Sequence, residues 1–329
     1  MSSFRHFFQE LPRLRVAVLG DLMLDTYFFG QVDRVSPEAP VPVVAHQRQE
    51  ERIGGAGNVA LNFKSLGADV QLISIVGSDA PGQILRDLLT EQAVGTDLLF
   101  ADPNRPTTRK TRVLDRNKQL LRLDHESVAE LSPEMETQIL AQLTKYLISE
   151  RPQLLVLEDY NKGMLTPSLI ESVIRTCRSL NIVTAVDPKK NNFFAYRGVD
   201  LFKPNWREVA DALNISGDPS PSSLEQVHQQ LHERLDHAVS LITLSDKGIF
   251  YQTDSQTEWL NCFKRNVVDV SGAGDTVIAI AAAAYALTKD ASIMANLANL
   301  AGGLVCEQVG TSPIDRKRLE QESIKLGWC

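Results

Sequence analysis

The sequence has few cysteines, and none of them lies close enough to another to suggest a shared ligand. Four cysteines occur among 329 residues, and there is no Cys-x-x-Cys motif. This spacing argues against a zinc site and against a disulfide framework. It favours a reducing compartment, so we expect the protein to be cytoplasmic.

Long hydrophobic runs and excess positive charge are also lacking. Residues 1–10 contain no apolar segment of the signal-peptide kind, and the longest apolar run, 277–287, is too short to span a bilayer. The net charge of −7 argues against binding to nucleic acid or to an anionic membrane. We see no internal repeat or low-complexity linker, and we expect residues 1–329 to form a single domain.

Apolar runs that alternate with amphipathic segments predict an α/β fold, with a mostly parallel sheet between helices on both faces. Two segments break this pattern. Residues 27–49 are proline-rich and extended, and residues 107–124 read as a hairpin that turns near Asp115, Arg116 and Asn117. We expect both segments to lie outside the main sheet and to form a small β-lid over the site.

A Ser-Gly-Ala-Gly-Asp motif at residues 271–275 is the most informative feature of the chain. The small residues Gly272, Ala273 and Gly274 allow successive N–H groups to converge on an anion. An apolar stretch follows, which predicts a helix whose N-terminus would favour a phosphoryl group. Asp275 could then take a proton from an attacking hydroxyl, although it could also be an ordinary helix N-cap after a glycine turn.

Two further segments suggest a site for a polyhydroxylated ligand. Asp21 follows the first predicted strand, and Asp25 is a second candidate acceptor of hydrogen bonds from hydroxyl groups. Gly54 and Gly55 permit close approach of a small ligand, and Asn58 offers both donors and an acceptor. For each of these segments an ordinary turn remains the alternative interpretation.

Basic residues crowd the predicted hairpin although the chain as a whole is acidic. Lys110 and Arg112 share one face of the strand, and Arg116 lies at the turn. Such a patch indicates a phosphorylated substrate, and Lys162 is a further candidate for a phosphate contact. The alternative is a solvated edge strand that its charges protect from aggregation.

Polar clusters follow three successive predicted strands, beginning at Glu158, Asp187 and Lys203. Carboxylates in such positions can hold Mg²⁺ through water, which makes Asp187 a weak candidate for a metal contact. A small polar turn after the strand at 239–244 is a candidate edge for a nucleotide. Its candidate contacts are Thr243, Ser245, Lys247 and Gly248.

Together these motifs, in this order, resemble the ribokinase (PfkB) family of carbohydrate kinases over nearly the whole chain. The segments at 34–44 and 111–124 look like the kinase domain of the D-glycero-β-D-manno-heptose 7-phosphate kinases. The resemblance implies a ribokinase-like fold and ATP-dependent phosphorylation of the anomeric hydroxyl of the heptose 7-phosphate. The product would be the 1,7-bisphosphate, on the route to the ADP-heptose of lipopolysaccharide.

The resemblance also implies residue roles. Asp275 would be the catalytic base beside its glycine anion hole. Asn205 and Glu208 would border ATP and Mg²⁺, and Glu208 would contact the Mg²⁺ through water. Asp21, Gly55 and Asn58 would bind sugar hydroxyls, and paired lids would form a homodimer. Ser271 departs from the family's usual threonine, and Glu158 stands where many relatives have a smaller residue.

Two alternatives stay open at this point. The chain could be a PfkB-type kinase for a different sugar or sugar phosphate, or a catalytically inactive sugar-binding protein. The resemblance further leaves open whether this is a separate kinase or the kinase part of a longer protein.

Overall fold

The structure is a computed structural model that describes residues 3–116 and 118–328. Within these ranges a nine-stranded central sheet contains strands β1 (Arg15–Gly20), β4 (Asp69–Gly77), β5 (Gly95–Asp102), β8 (Leu154–Glu158), β9 (Val183–Asp187), β10 (Leu201–Phe202), β11 (Val239–Thr243), β12 (Ile249–Gln252) and β13 (Thr257–Leu260). Their spatial order is β13-β12-β11-β10-β9-β8-β1-β4-β5. All neighbours from β11 to β5 are parallel, and only β12 and β13 are antiparallel. The prediction of a mostly parallel sheet is therefore confirmed.

Helices cover both faces of this sheet. They are α1 (Ser3–Glu10), α2 (Ala56–Leu66), α3 (Ala80–Glu91), α4 (Pro133–Glu150), α5 (Pro167–Leu180), α6 (Trp206–Leu213), α7 (Pro221–Leu235), α8 (Ala273–Thr288), α9 (Ala291–Val305) and α10 (Arg316–Lys325). One core lies between the sheet and α1, α2, α8 and α9, and a second lies between the opposite face and α4, α5 and α7. Residues 275–284 of α8 are all buried, as expected for a helix that is apolar on every side. None of the described helices is both long and apolar enough to cross a bilayer.

A separate four-stranded sheet contains the two segments that break the main pattern. Its strands are β2 (Leu22–Val35), β3 (Pro42–Gly55), β6 (Arg109–Asp115) and β7 (Lys118–His125), in the order β3-β2-β6-β7. The predicted hairpin is present as the antiparallel pair β6–β7, and β6 also pairs in parallel with β2. Arg116 has a positive φ of 54° at the predicted turn, whereas Asn117 lies outside the described residues. We call this second sheet the lid sheet.

The carboxyl ends of the parallel strands bring the predicted polar segments together. Gly20 of β1 lies opposite Glu158 of β8, and Glu158 lies opposite Asp187 of β9. This edge of the sheet is where ligands bind in open α/β folds.

Helix α8 begins at Ala273, inside the glycine motif and not in the apolar stretch that follows it. Gly272 is the N-cap, with a φ of 77°, and its carbonyl accepts the first helical bond, from the N–H of Thr276 at 3.0 Å. Asp275 is therefore the third residue of the helix, and the interpretation of Asp275 as the N-cap is wrong. The left-handed φ at Gly272 explains the early start, since glycine adopts it without steric cost.

Candidate active site

Asp275 is a buried carboxylate held by two side-chain hydrogen bonds. Its Oδ2 accepts a bond from Asn58 Nδ2 at 2.7 Å, and its Oδ1 accepts one from the Tyr160 hydroxyl at 2.7 Å. Burial raises the pKa of Asp275 to about 6, and these two bonds limit the rise. A carboxyl with such a pKa is mostly ionised at neutral pH yet still basic enough to accept a proton.

The backbone before Asp275 has the geometry that the anion-site prediction requires, except at Ala273. Ala273 donates its N–H to the carbonyl of Val270 at 3.2 Å, so this N–H is engaged within the loop. Among the described residues, no acceptor is found for the N–H groups of Gly274 and Asp275. These two groups, at the positive end of α8, remain for an anion.

Residues outside this loop, Asp269 and Asn58, hold its conformation. The Asp269 carboxylate accepts hydrogen bonds from the N–H groups of Ser271 at 2.9 Å and Gly310 at 2.8 Å. A Cβ at Gly272 would lie 2.8 Å from Asn58 Nδ2, so only glycine leaves Asn58 free to reach Asp275. The glycine is thus required by close approach as well as by its positive φ.

Lysines and carboxylates alternate beside the anion loop. Asp187 contacts Lys203 Nζ at 2.7 Å through Oδ2 and Lys189 Nζ at 3.1 Å through Oδ1. Lys189 Nζ also lies 2.7 Å from Glu208 Oε1. Although burial opposes it, the two lysines hold the pKa of Asp187 below its ordinary value. A Cβ at Gly274 would lie 3.8 Å from Lys203 Nζ, which places this positive charge next to the free N–H groups.

Glu158 is a fully buried carboxyl in the same region. Neither of its side-chain oxygens has a hydrogen-bond partner among the described residues. Burial raises the pKa of Glu158 well above its ordinary value, and the negative charges of Asp187 and Asp275 raise it further. Burial and these neighbouring charges therefore favour the neutral form of Glu158 over its anion.

Asp21 lies at the expected strand end, but its carboxylate is largely occupied. It accepts hydrogen bonds from the N–H groups of Tyr160 at 2.8 Å, Lys162 at 3.1 Å and Met164 at 3.2 Å. Burial raises the pKa of Asp21 to about 6 despite these bonds. Asp21 thus orders the loop that carries Tyr160, in addition to any contact with a substrate.

The other predicted sugar-side residues lie close to Asp21 and Asp25. A Cβ at Gly54 would lie 2.6 Å from Asp25 Oδ2, and a Cβ at Gly55 would lie 2.3 Å from the Asp21 carbonyl oxygen. Gly55 also has a positive φ of 61°. Both glycines are therefore required for the lid sheet to meet the central sheet at this point.

The basic residues predicted to bind the sugar's phosphate differ in whether they form ion pairs. Arg112 Nη1 donates to Asp25 Oδ1 at 2.6 Å, and Lys162 Nζ donates to Glu126 Oε1 at 2.6 Å. Lys110 forms no ion pair within the described part of the chain, and its Nζ lies 5.4 Å from the ring centroid of Tyr160. Burial disfavours the charged form of Lys110 and lowers its pKa, and an anion bound nearby would offset this effect.

Arg116 is not part of this group. It follows Lys110 by six positions, and at roughly 3.3 Å per residue a strand carries it about 20 Å away. Lys110 Nζ lies near the ring of Tyr160 and Lys162 follows Tyr160 by two residues, whereas Arg112 contacts Asp25 and Arg116 follows the distal end of β6.

The predicted nucleotide residues form a second group across β10 and β11. Asn205 and Glu208 make a reciprocal capping box at the start of α6, with bonds of 2.9 Å and 2.8 Å. Asn205 forms a parallel bridge with Thr243, which places the two segments side by side. The turn of Ser245, Lys247 and Gly248 follows directly, and Lys247 Nζ lies 3.3 Å from Asp218 Oδ2 in an exposed ion pair.

Three residues of the site had no role assigned from the sequence. They are Tyr160, Lys189 and Lys203, each in a polar cluster that follows a strand. Their position after a strand was a usable signal for the loop. It did not indicate which side chain in each cluster would reach Asp275 or Asp187.

The pfkB family carbohydrate kinase model matches residues 13–317. A D-beta-D-heptose 7-phosphate kinase from Bordetella bronchiseptica is 40% identical over 96% of this chain and 98% of its own length. The bifunctional protein HldE from Methylobacillus flagellatus is 38% identical over 98% of this chain. The match spans 65% of that relative's length.

Solved structures share the fold at low sequence identity. Phosphofructokinase-2 from Escherichia coli, in complex with potassium, has a TM-score of 0.77 and 16% identity, and the match covers 95% of this chain and 99% of that one. Ribokinase from Arabidopsis thaliana, complexed with ribose and ATP, has a TM-score of 0.70 and 18% identity, with 94% and 97% covered.

The family match, together with the buried carboxylate at a helix N-terminus, establishes the class of protein. The chain belongs to the pfkB family of carbohydrate kinases. It is a phosphotransferase that acts on a sugar hydroxyl, with a ribokinase-like fold.

Removal of the hydrogen bond from Tyr160 to Asp275 should shift the pH dependence of kcat/KM. If Asp275 is the base, its protonation should lower kcat/KM as the pH drops through about 6. Tyr160→Phe removes a bond that lowers this pKa, so the acidic limb should move to higher pH. The check is a pH–rate profile from pH 5 to 9 for both proteins.

Asp21, with a similar pKa, supplies the internal control. The N–H of residue 160 still reaches Asp21 in the variant, so a limb due to Asp21 would stay in place. An unmoved limb would therefore contradict the assignment to Asp275.

Proposed function

We propose that this protein transfers the γ-phosphoryl group of ATP to the anomeric hydroxyl of a heptose 7-phosphate, forming the 1,7-bisphosphate. The observation that carries this proposal is the buried Asp275 beside two free N–H groups and Lys203, with a separate group of basic residues near Tyr160. One end of this arrangement suits the transferred phosphoryl group and the other suits a phosphate already on the sugar. The name of the relative from Bordetella, a D-beta-D-heptose 7-phosphate kinase, supports the choice of a heptose phosphate. The pathway would be ADP-heptose synthesis for lipopolysaccharide, in the cytoplasm.

In this mechanism the chain mainly positions charges. Asp275 accepts the proton of the attacking hydroxyl, and Asn58 and Tyr160 hold its carboxylate in one orientation. The N–H groups of Gly274 and Asp275, with Lys203, stabilise the charge on the transferred group. The lid sheet would exclude water from the site, which limits wasteful hydrolysis of ATP.

Asn205, Glu208 and the turn at 243–248 are our candidates for contacts with ATP. Mg²⁺, when bound with ATP, neutralises the charge on the phosphates. The nearby donors are carboxylate oxygens, which suit this ion. Each oxygen of Asp187 and Glu208 already accepts a bond from a lysine or an N–H group, so these residues would hold Mg²⁺ through water.

Asp275→Asn is the direct test of the base. We expect kcat to fall by about 10²–10⁴, because this is the usual worth of general-base catalysis. ATP should still bind, since Asp275 lies on the sugar side. A variant that keeps more than a third of wild-type kcat would rule out Asp275 as the base.

The same variant should also alter stability in a pH-dependent way. The folded-state pKa of Asp275 is raised, so wild-type stability from this group is lost as the pH rises through about 6. The asparagine side chain of the variant cannot ionise. In thermal melts the stability of the variant relative to the wild type should therefore increase between pH 5 and pH 8. A constant difference across this range would contradict the raised pKa.

Lys110, Arg112 and Lys162 are our candidates for the site of the sugar's own phosphate. Lys110→Ala should raise KM for the phosphorylated sugar by about ten- to a hundredfold, the usual worth of one charge-assisted hydrogen bond. Arg112→Ala should also raise it, and KM for ATP should stay unchanged in both. Arg116→Ala is the matched control and should behave as wild type. An unphosphorylated heptose or ribose that is used equally well would refute the phosphate site and favour a kinase of another sugar.

We also propose a homodimer through the lid sheets. All of β7 is exposed, and Leu121 and Leu123 on one of its faces are 49% and 56% exposed. Val35 and Val41, at the distal end of β2 and beside β3, are exposed as well. A two-fold pairing of lid sheets would cover these side chains and the sheet edge.

Leu121→Asp tests this pairing. We expect the wild type to sediment as a dimer at micromolar concentration, and the variant to shift towards monomer with weaker sugar binding. Ile324→Asp, on α10, places the same charge at a side chain that is 54% exposed, and it should leave the dimer intact. A wild-type monomer with full activity would contradict the proposal.

A further inference from the structure

A cluster of potential metal ligands lies outside the site described above. His228 and His232 are four residues apart on α7, which places them on one face of the helix. Asp254 lies in the turn between β12 and β13. One ligand atom from each of the three side chains lies within 4.8 Å of the others.

The hydrogen bonds of the two histidines leave a nitrogen of each available. His232 Nδ1 lies 2.9 Å from the carbonyl oxygen of His237. A carbonyl can only accept, so Nδ1 carries the proton and the lone pair is on Nε2. His228 Nδ1 is bonded to Ser240 Oγ at 2.9 Å, which leaves its Nε2 without an assigned partner. Bonds of this kind orient metal-binding histidines through the nitrogen that does not bind the metal.

The surroundings are open and polar. His228 and His232 line a surface hollow together with Glu225 and Gln229 of the same helix and Gln252 of β12. His232 is half-buried and Asp254 is exposed, so an ion from solvent can reach both. A histidine that only fills a core would instead be surrounded by apolar side chains.

We propose that His228, His232 and Asp254 form a binding site for a divalent transition-metal ion, with Zn²⁺ as the best match to the donors. Two imidazoles and one carboxylate suit Zn²⁺ or Co²⁺, whereas Mg²⁺ prefers oxygen ligands alone. The bound ion would link α7 to the β12–β13 hairpin. This hairpin also supports the turn at 245–248, because Trp259 Nε1 donates to the carbonyl of Lys247 at 2.8 Å.

Titration of the chelator-treated full-length protein with Co²⁺, in the absence of nucleotide, tests the site. We expect visible absorption bands that saturate at one ion per chain, disappear when Zn²⁺ is added, and persist in millimolar Mg²⁺. His232→Ala and Asp254→Asn should each weaken Co²⁺ binding at least about tenfold, as loss of a ligand does. His6→Ala, at an exposed histidine of α1, is the matched control and should bind as wild type.

The outcome is decisive in both directions. Thermal melts of the metal-free proteins establish that His232→Ala and Asp254→Asn are folded. Loss of the bands in both variants, with the control unchanged, supports the site. No binding to the wild type, or equally tight binding to His232→Ala, would overturn it, because any ion bound would then be held elsewhere.

Discussion

Asp187 divides its carboxylate between two lysines, and the rest of the site depends on this arrangement. One oxygen contacts Lys203 and the other contacts Lys189, which in turn reaches Glu208. Because Lys203 and Asp187 are almost fully buried, neither charge could remain without the other. The pair places a positive charge beside the free N–H groups of α8. Through Lys189 and Glu208, Asp187 also links the end of β9 to the start of α6, where the nucleotide is expected.

The site concentrates carboxyl groups, and the fold manages their repulsion by different means. Asp187 is neutralised by lysines, Asp275 is held by two neutral donors, and burial with the charges of its neighbours favours the protonated form of Glu158. Three carboxyls on neighbouring elements thereby have three different environments. These environments separate their proton affinities, which is the condition that the proposed role of Asp275 as the base requires.

Much of the architecture could be predicted from the sequence because it follows from repeating patterns. Buried parallel strands such as β8 are continuous apolar runs, and the polar residues after them must meet at one edge of the sheet. Strand β10 has only two residues, so its sequence pattern is too short to predict where it begins and ends. Strand β5 has exposed positions that interrupt its apolar run. The glycine motif indicated a turn that leads into a helix, because its steric requirements are local.

The pairing of side chains could not be predicted in the same way. Tyr160 reaches Asp275 across 115 positions, and Arg112 reaches Asp25 across 87. Such contacts depend on the register of β2 against β6 and on side-chain rotamers, neither of which leaves a local pattern. For the same reason the sequence suggested both Lys110 and Arg112 as phosphate contacts, whereas the structure pairs Arg112 with Asp25 and leaves Lys110 without an ion pair among the described residues.

Strand β2 has a consequence for how the molecule can change shape. It follows β1 after the single residue Asp21 and continues for 14 residues to Val35, so one strand runs from Asp25 to the exposed end of the lid sheet. From Leu24 to Gly30 this strand is paired on both sides, which stiffens the part beside Asp25. Beyond Gly30 its strand pairing, among the described residues, is with β3 alone, and the register shifts at Phe29/Gly30 and at Val32/Arg34, where a strand bends most easily. The inner half of the lid sheet is therefore a stiff support for Asp25, and bending is concentrated in its outer half.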